Sequence, residues 1–417
     1  MKSQNDLSIT KSLIRQPTFI MCWIAYALAY FCRVNFSIAL PLINIEFQSQ
    51  AAKTGVIASC FFFSYAVGQL INGFAGDHVK PERMVFGGLL LSACANLAFG
   101  FANSVELMSG IWLLNGFFQS MLWGPIIKIL SANREKHGFH KISSRLMLST
   151  VAGYFLAWGV AGFLGDHFGW RYALWTPALT CGVFSFVWVL VMRRHQYSCP
   201  EVGLNDEKNE PALCSPLKVI SRAKLWFVMG ASLCQGIIKD GISLLVPLYF
   251  LRKYQLSLSH TIVFILAIPI FNALGVIFTG WLNKKLHYQE RKTASFLFIF
   301  ALVLLILLIS VPLSNIIFAS ILIACISGMI YGANSIILST IPLKCSQYGK
   351  SSLVAGIMDF CAYMGTAISS LILGAVIAQG HIDILPLSWL LAAVLGAAFM
   401  AVSRRKQPWL TRKRELL

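Results

Sequence analysis

The chain has 417 residues, 57% hydrophobic and only 12% charged, against about 25% charged in a soluble domain, and its mean hydropathy is +0.71. This composition excludes a soluble catalytic domain and points to an integral membrane protein. The net charge of +18 would suit a nucleic-acid partner, unless the cations follow a membrane topology.

Apolar stretches long enough to cross a hydrocarbon core of about 30 Å as helices recur along the whole chain. They lie at about 19–43, 54–76, 84–104, 107–130, 145–168, 170–192, 225–251, 260–282, 293–313, 315–341, 352–380 and 384–403. Twelve transmembrane helices and an all-α integral membrane fold are predicted. The first stretch is too long for a signal peptide and no small-residue cleavage site follows it, so it is expected to be a span.

With the N-terminus inside, 27 of the 34 Lys and Arg residues fall in the tails and loops of that side, 4 on the other side and 3 within spans. Such a bias places both termini in the cytoplasm. The basic charge then reports topology in a cell membrane, and no nucleic-acid partner is expected. The eleven cysteines are irregularly spaced and mostly within spans, with Cys199 and Cys214 in a central cytoplasmic loop. Neither a disulfide framework nor a metal site is predicted. All eight histidines fall in loops or at span ends, and no nucleophile and base spacing suggests an enzyme or a cofactor.

The first span carries one full charge, Arg33, in AYALAYFCRVNF. An arginine at the centre of a membrane helix costs about 2.5–3.5 kcal/mol on insertion scales, so a compensating role is expected. At about 1.5 Å per residue, Arg33 and Lys239 lie about 21 Å in from the cytoplasmic edge of their spans, near the midplane, and cannot readily snorkel out. Lys128 lies near the inner end of the fourth span, where snorkelling and substrate contact are both open. Tyr26, Tyr30 and Arg33 follow an i, i+4, i+7 spacing and share one helix face. Two phenols beside a guanidinium form a donor-rich stripe suited to a phosphate or carboxylate.

Between Arg193 and Lys224 the chain turns polar, which predicts an N-terminal half at 1–192, a cytoplasmic loop at 193–224 and a C-terminal half at 225–417. An offset of 206 carries the start of the first span onto the seventh, Arg33 onto Lys239, and Asp77 onto Asn283. Transporters built from repeats hold substrate between them. Two acids, Asp240 and Asp359, lie within spans. Asp240 follows Lys239 directly, and successive helical residues diverge by about 100°, so the two need not neutralise each other. Asp359 is placed either to pair with Lys239 or to carry a proton.

Twelve spans, cytoplasmic termini, a mid-chain loop and the turn GFAGDHVKPERM make the chain resemble the major facilitator superfamily. That resemblance implies a gating role for Gly73, Asp77 and Arg83. YFCRVNFSIALPLI, GFFQSMLWGP, KDGISLLVPLY, ISGMIYGANS and VAGIMDFCAYMG are similar to the organophosphate:phosphate antiporters, the branch of the glycerol 3-phosphate and hexose 6-phosphate carriers. By this resemblance Arg33 and Lys239 clamp a phosphoryl group, with Tyr26, Tyr30 and Tyr363 beside the substrate. It implies a monomer that exchanges an organic phosphate for inorganic phosphate by alternating access.

The chain departs from that branch at several positions. Lys239 stands where the glycerol phosphate carriers have a second arginine, and Gln69 where they have a lysine. STVAGYF offers no counterpart to their histidine, and Asp240 and Asp359 add negative charge. Two alternatives follow. One is a proton- or sodium-coupled carrier of a sugar acid or phosphonate; the other is a transporter-like sensor of sugar phosphate.

Overall fold

The computed structural model describes residues 17–47, 51–132, 139–194, 221, 225–310, 315–344 and 351–404. These residues form twelve helical passes and no strand. Hydrocarbon offers no partner for a free backbone group, so each apolar run closes its own hydrogen bonds as a helix. In chain order the passes are α1 Pro17–Glu46, α2 Ala51–His78, α3 Pro81–Gly100, α4 Val105–Ser120 continued by Trp123–Ala132, α5 Phe139–Phe168 and α6 Trp170–Arg194. The second six are α7 Leu225–Lys253, α8 Leu258–Lys285, α9 Glu290–Ser310, α10 Ile316–Lys344, α11 Ser351–Ala378 and α12 Ile384–Arg404.

The fourth pass is not the continuous run expected from the sequence. Met121 and Leu122 leave the α-helix and bond back to Phe118 and Gln119, three residues earlier. Pro125 is the physical cause, because it has no N–H for the Met121 carbonyl. In α1 and α7, Pro41 and Pro247 each remove one helical hydrogen bond, and they are separated by the same 206 residues as Arg33 and Lys239. Wider π turns interrupt α5 at Leu156–Ala161 and α10 at Ile336–Thr340; such turns recur at functional sites.

Helix pairs in the first six passes recur in the second six. α1 packs on α5 and α6 as α7 packs on α11 and α12. Likewise α2 packs on α4 and α3 on α6, as α8 packs on α10 and α9 on α12. The central helices are the most enclosed: 89% of the apolar core of α7 is buried against 33% for α6, whose large residues face lipid. The loop predicted at 193–224 lies almost entirely outside the described residues.

The two halves meet at the end of the bundle remote from the chain termini. A Cβ on Gly55 in α2 would sit 2.7 Å from the Ser370 carbonyl oxygen and 2.8 Å from the Gly374 Cα in α11. Only glycine permits that approach. Ser259 Oγ at the start of α8 donates to Asp166 in α5, and Ile262 packs where a Cβ on Gly162 would stand. Towards the terminus-bearing end the same helices part: among the described residues, a Cβ on Gly73 in α2 or Gly356 in α11 would meet no atom of another helix within 4 Å.

Candidate functional site

Arg33 projects from α1 into the seam between the halves. Its Nε donates to Gln119 Oε1 at 2.9 Å and its Nη1 to Tyr363 Oη at 3.3 Å. The guanidinium carbon stands 4.4 Å from the Tyr65 ring centroid and 4.9 Å from that of Tyr30. Desolvated cation–π contacts of this kind contribute about 2 kcal/mol, which offsets much of the insertion cost of the arginine. Among the described residues Arg33 has no carboxylate within 4 Å.

Behind Arg33 lies a buried polar relay. Gln119 Nε2 donates to Ser92 Oγ at 3.1 Å, and Ser92 Oγ to Asn115 Oδ1 at 2.7 Å. Asn96 Nδ2 donates to the carbonyl oxygen of Cys32, next to Arg33, and Asn35 Nδ2 to Asn96 Oδ1 at 2.9 Å. Ser92, Asn96, Asn115 and Gln119 are all at most 1% exposed. Hydrogen-bonded polar groups in a low-dielectric interior stiffen one another, and the Gln119 end of this chain orients the guanidinium through Nε.

Lys239 occupies the corresponding depth of α7. Contrary to the divergence expected of adjacent residues, Lys239 Nζ lies 3.3 Å from Asp240 Oδ1. The long lysine stem bends back over the helix, so the angular separation of the two Cα atoms does not keep the charges apart. Asp240 Oδ2 also accepts from Thr366 Oγ1 at 3.1 Å. Asp359 forms no ion pair within 4 Å among the described residues; it lines the cavity without meeting Lys239.

Tyr363 of α11 lies between the two cations. Its ring centroid is 5.1 Å from Lys239 Nζ and 6.0 Å from the Arg33 guanidinium carbon, and Tyr65 packs on it at 4.4 Å. The cavity of about 50 Å³ there is lined by Tyr26, Tyr30, Tyr65, Lys239, Asp359 and Tyr363, and further towards the termini by Trp123, Thr150, Asn334 and Ser339. It is well below the roughly 300–1,000 Å³ of a ligand pocket, so a sugar-sized molecule requires the aromatic walls to separate.

Other predicted residues lie elsewhere. Gln69 is buried in α2 with its Nε2 unpartnered among the described residues, and Lys128 is half-buried towards the terminus-bearing end of α4; neither lines the cavity, and Arg33 itself stands against its Tyr30, Tyr65 and Tyr363 walls without lining it. Gly73 and Arg83 are exposed at that end, while the Asp77 side chain lies outside the described residues. Sequence reasoning missed Tyr65, Gln119, Trp123, Tyr154 and Tyr331. Tyr65 precedes Gln69 by one helical turn, a spacing that could have found it. Tyr154, in the STVAGYF stretch, pairs with Ser243 Oγ at 2.6 Å and accepts from Tyr331 Oη at 3.3 Å, joining the halves.

The Major Facilitator Superfamily sequence profile matches residues 22–370. The chain belongs to that superfamily. It is therefore a multi-pass membrane protein of a transporter family and not an enzyme. It is 24% identical to a probable hexose phosphate transport protein of Chlamydia pneumoniae, over 69% of each chain. It is likewise 24% identical to the glycerol-3-phosphate transporter of Bacillus subtilis, over 96% of this chain and 94% of that one. The membrane sensor protein UhpC of Escherichia coli is 22% identical over 88% of this chain and 87% of its own. Among solved structures, a bacterial homologue of the human lysosomal transporter Spinster superposes with a TM-score of 0.71 at 14% identity, over 94% of this chain and 98% of that one. This last likeness concerns the fold alone.

Proposed function

We propose that the protein is a secondary carrier of a small organophosphate, a phosphorylated sugar or glycerol phosphate, exchanged for inorganic phosphate by alternating access. The observation that carries this reading is the placement of Arg33 and Lys239. They come from equivalent positions in the two halves and approach the same Tyr363 ring, Lys239 lining the cavity and Arg33 standing against its Tyr30, Tyr65 and Tyr363 walls. A phosphoryl group accepts the Nη donors of Arg33 in competition with the tyrosine hydroxyls and draws Lys239 away from Asp240. The names of the hexose phosphate and glycerol phosphate relatives support the same substrate class.

Binding a dianion between two halves gives each half a reason to close on it. Rocking breaks the remote contacts, Gly55 on Gly374 and Ser259 on Asp166, as the terminus-bearing end seals. In this account Tyr26 and Tyr30 line the route, Asp240 is the counter-ion released by substrate, and the turn holding Gly73, Asp77 and Arg83 bears on the sealed state. The basic bias of the terminus-bearing loops assigns that end to the cytoplasm, and a monomer contains the whole path.

Asp359 favours a second reading. A carboxyl group that lines the cavity without an ion pair among the described residues suits a carrier in which it takes a proton with an organic anion. Binding by the purified protein, followed by thermal shift, separates the substrate classes. Glycerol 3-phosphate and hexose 6-phosphates should stabilise it and inorganic phosphate should compete, whereas stabilisation by sugar acids without phosphate competition sinks the first reading.

A further inference from the structure

A second, much larger cleft lies away from the transport path. It measures about 900 Å³ and opens between the terminus-bearing ends of α3 and α6, helices that pack on each other and otherwise against α1, α4 and α5 of their own half among the principal contacts. Its floor is Trp188 and Met192, both buried, with the Trp188 indole N–H held by the Glu82 carbonyl oxygen at 3.0 Å. Its walls are Phe86 and Phe186, whose rings lie 6.2 Å apart, and Leu190. Phe186 and Leu190 are 58% and 65% exposed, on a face that composition assigns to hydrocarbon.

The rim has the opposite chemistry. Lys80, at the N-cap of α3, Arg83 and Arg193 line the mouth, all three exposed, and none forms an ion pair within 4 Å among the described residues. Glu82 is the single acid lining the cleft among those residues, which leaves a formal balance of two positive charges. An apolar trough at acyl-chain depth under a cationic rim at headgroup depth matches one occupant.

We propose that this cleft is a binding site for an anionic glycerophospholipid, with the phosphate diester held by Lys80, Arg83 and Arg193 and one acyl chain lying along Phe86, Phe186 and Leu190. A zwitterionic lipid offers the same chain but carries a cation that meets the rim unfavourably. A free phosphate offers the charge and leaves the apolar walls uncovered. Basic pockets between membrane helices select anionic headgroups in this way, and Arg and Lys near a helix end reach the interface with their stems along the apolar wall.

Native mass spectrometry of the purified full chain with dioleoyl phosphatidylglycerol and dioleoyl phosphatidylcholine tests the site. The wild type should retain the anionic lipid preferentially, and the preference should fall about fivefold for each charge removed in Lys80→Gln and Arg193→Gln. Lys80→Arg with Arg193→Lys should keep it. Equal retention of the two lipids by the wild type overturns the proposal, even if the neutralised variants do not fold. So does an unchanged preference in the folded double variant, or displacement of the anionic lipid by millimolar inorganic phosphate, which would mark a free-anion site.

Discussion

Lys239 Nζ lies 3.3 Å from Asp240 Oδ1, both residues buried in α7 and adjacent in sequence. The pair makes the two halves electrically unlike. Arg33 is held beside the cavity by amide, phenol and ring partners, whereas Lys239 carries its own counter-ion. A substrate anion therefore completes the shell of Arg33 but must compete for Lys239.

Replacing Asp240 with asparagine removes that competitor. Asp240→Asn is predicted to tighten binding of an organophosphate by about tenfold, equivalent to ~1.4 kcal/mol, and to slow turnover because release is impeded. Equilibrium binding and exchange rates on the same preparation check this. Weaker binding would show that Asp240 positions Lys239 instead of restraining it.

Gln119 receives the Nε donor of Arg33 and passes its own amide hydrogen to Ser92. Gln119→Leu leaves the Arg33 Nε donor without its acceptor and the Ser92 hydroxyl oxygen without its donor, at about 1–3 kcal/mol for each buried group left unsatisfied. We expect a lower melting temperature and a raised KM. Gln119→Glu should keep the fold but hold Arg33 as a closed ion pair, so substrate binding falls while stability does not. A Gln119→Glu protein that binds substrate normally would remove the glutamine from the positioning of Arg33.

Tyr363 contributes a hydroxyl and a ring. Tyr363→Phe loses the acceptor for Arg33 Nη1, a hydrogen bond to a charged group of about 1.5–3 kcal/mol, and keeps both ring contacts. Tyr363→Ala loses all three. Affinity should therefore fall in the order wild type, Phe, Ala, and an equal loss in the two variants would assign the whole effect to the ring.

Gly55 lets α2 and α11 close the remote end. Gly55→Leu puts a side chain where the Ser370 carbonyl stands, so the variant should populate the form open at that end. Spin-label distances between the outer ends of α2 and α11 should lengthen relative to the wild type; unchanged distances would show that this contact does not gate.

Twelve passes and their approximate edges were legible because hydrocarbon demands long apolar runs, and the charge bias of the loops is a composition signal. Arg33 stood out for the same reason, as a full charge where none belongs. The aromatic floor under it did not. Tyr65, Trp123 and Tyr331 are ordinary membrane-helix residues until the packing of α2, α4 and α10 aims them at one point. The pairing of Lys239 with Asp240 escaped because helix geometry gives the direction of Cβ and not of a four-carbon stem. The break in α4 was written in Pro125, four residues after the carbonyl it leaves free.

The central claim is that Arg33 holds a phosphoryl group exchanged across the membrane. Proteoliposomes loaded with inorganic phosphate, given labelled glycerol 3-phosphate or hexose 6-phosphate outside, test it most directly with wild type, Arg33→Lys and Arg33→Ala side by side. The account predicts wild-type uptake that requires internal phosphate, reduced uptake in Arg33→Lys, and none in Arg33→Ala. Uptake by the wild type without internal phosphate, or undiminished uptake by Arg33→Ala, would contradict it.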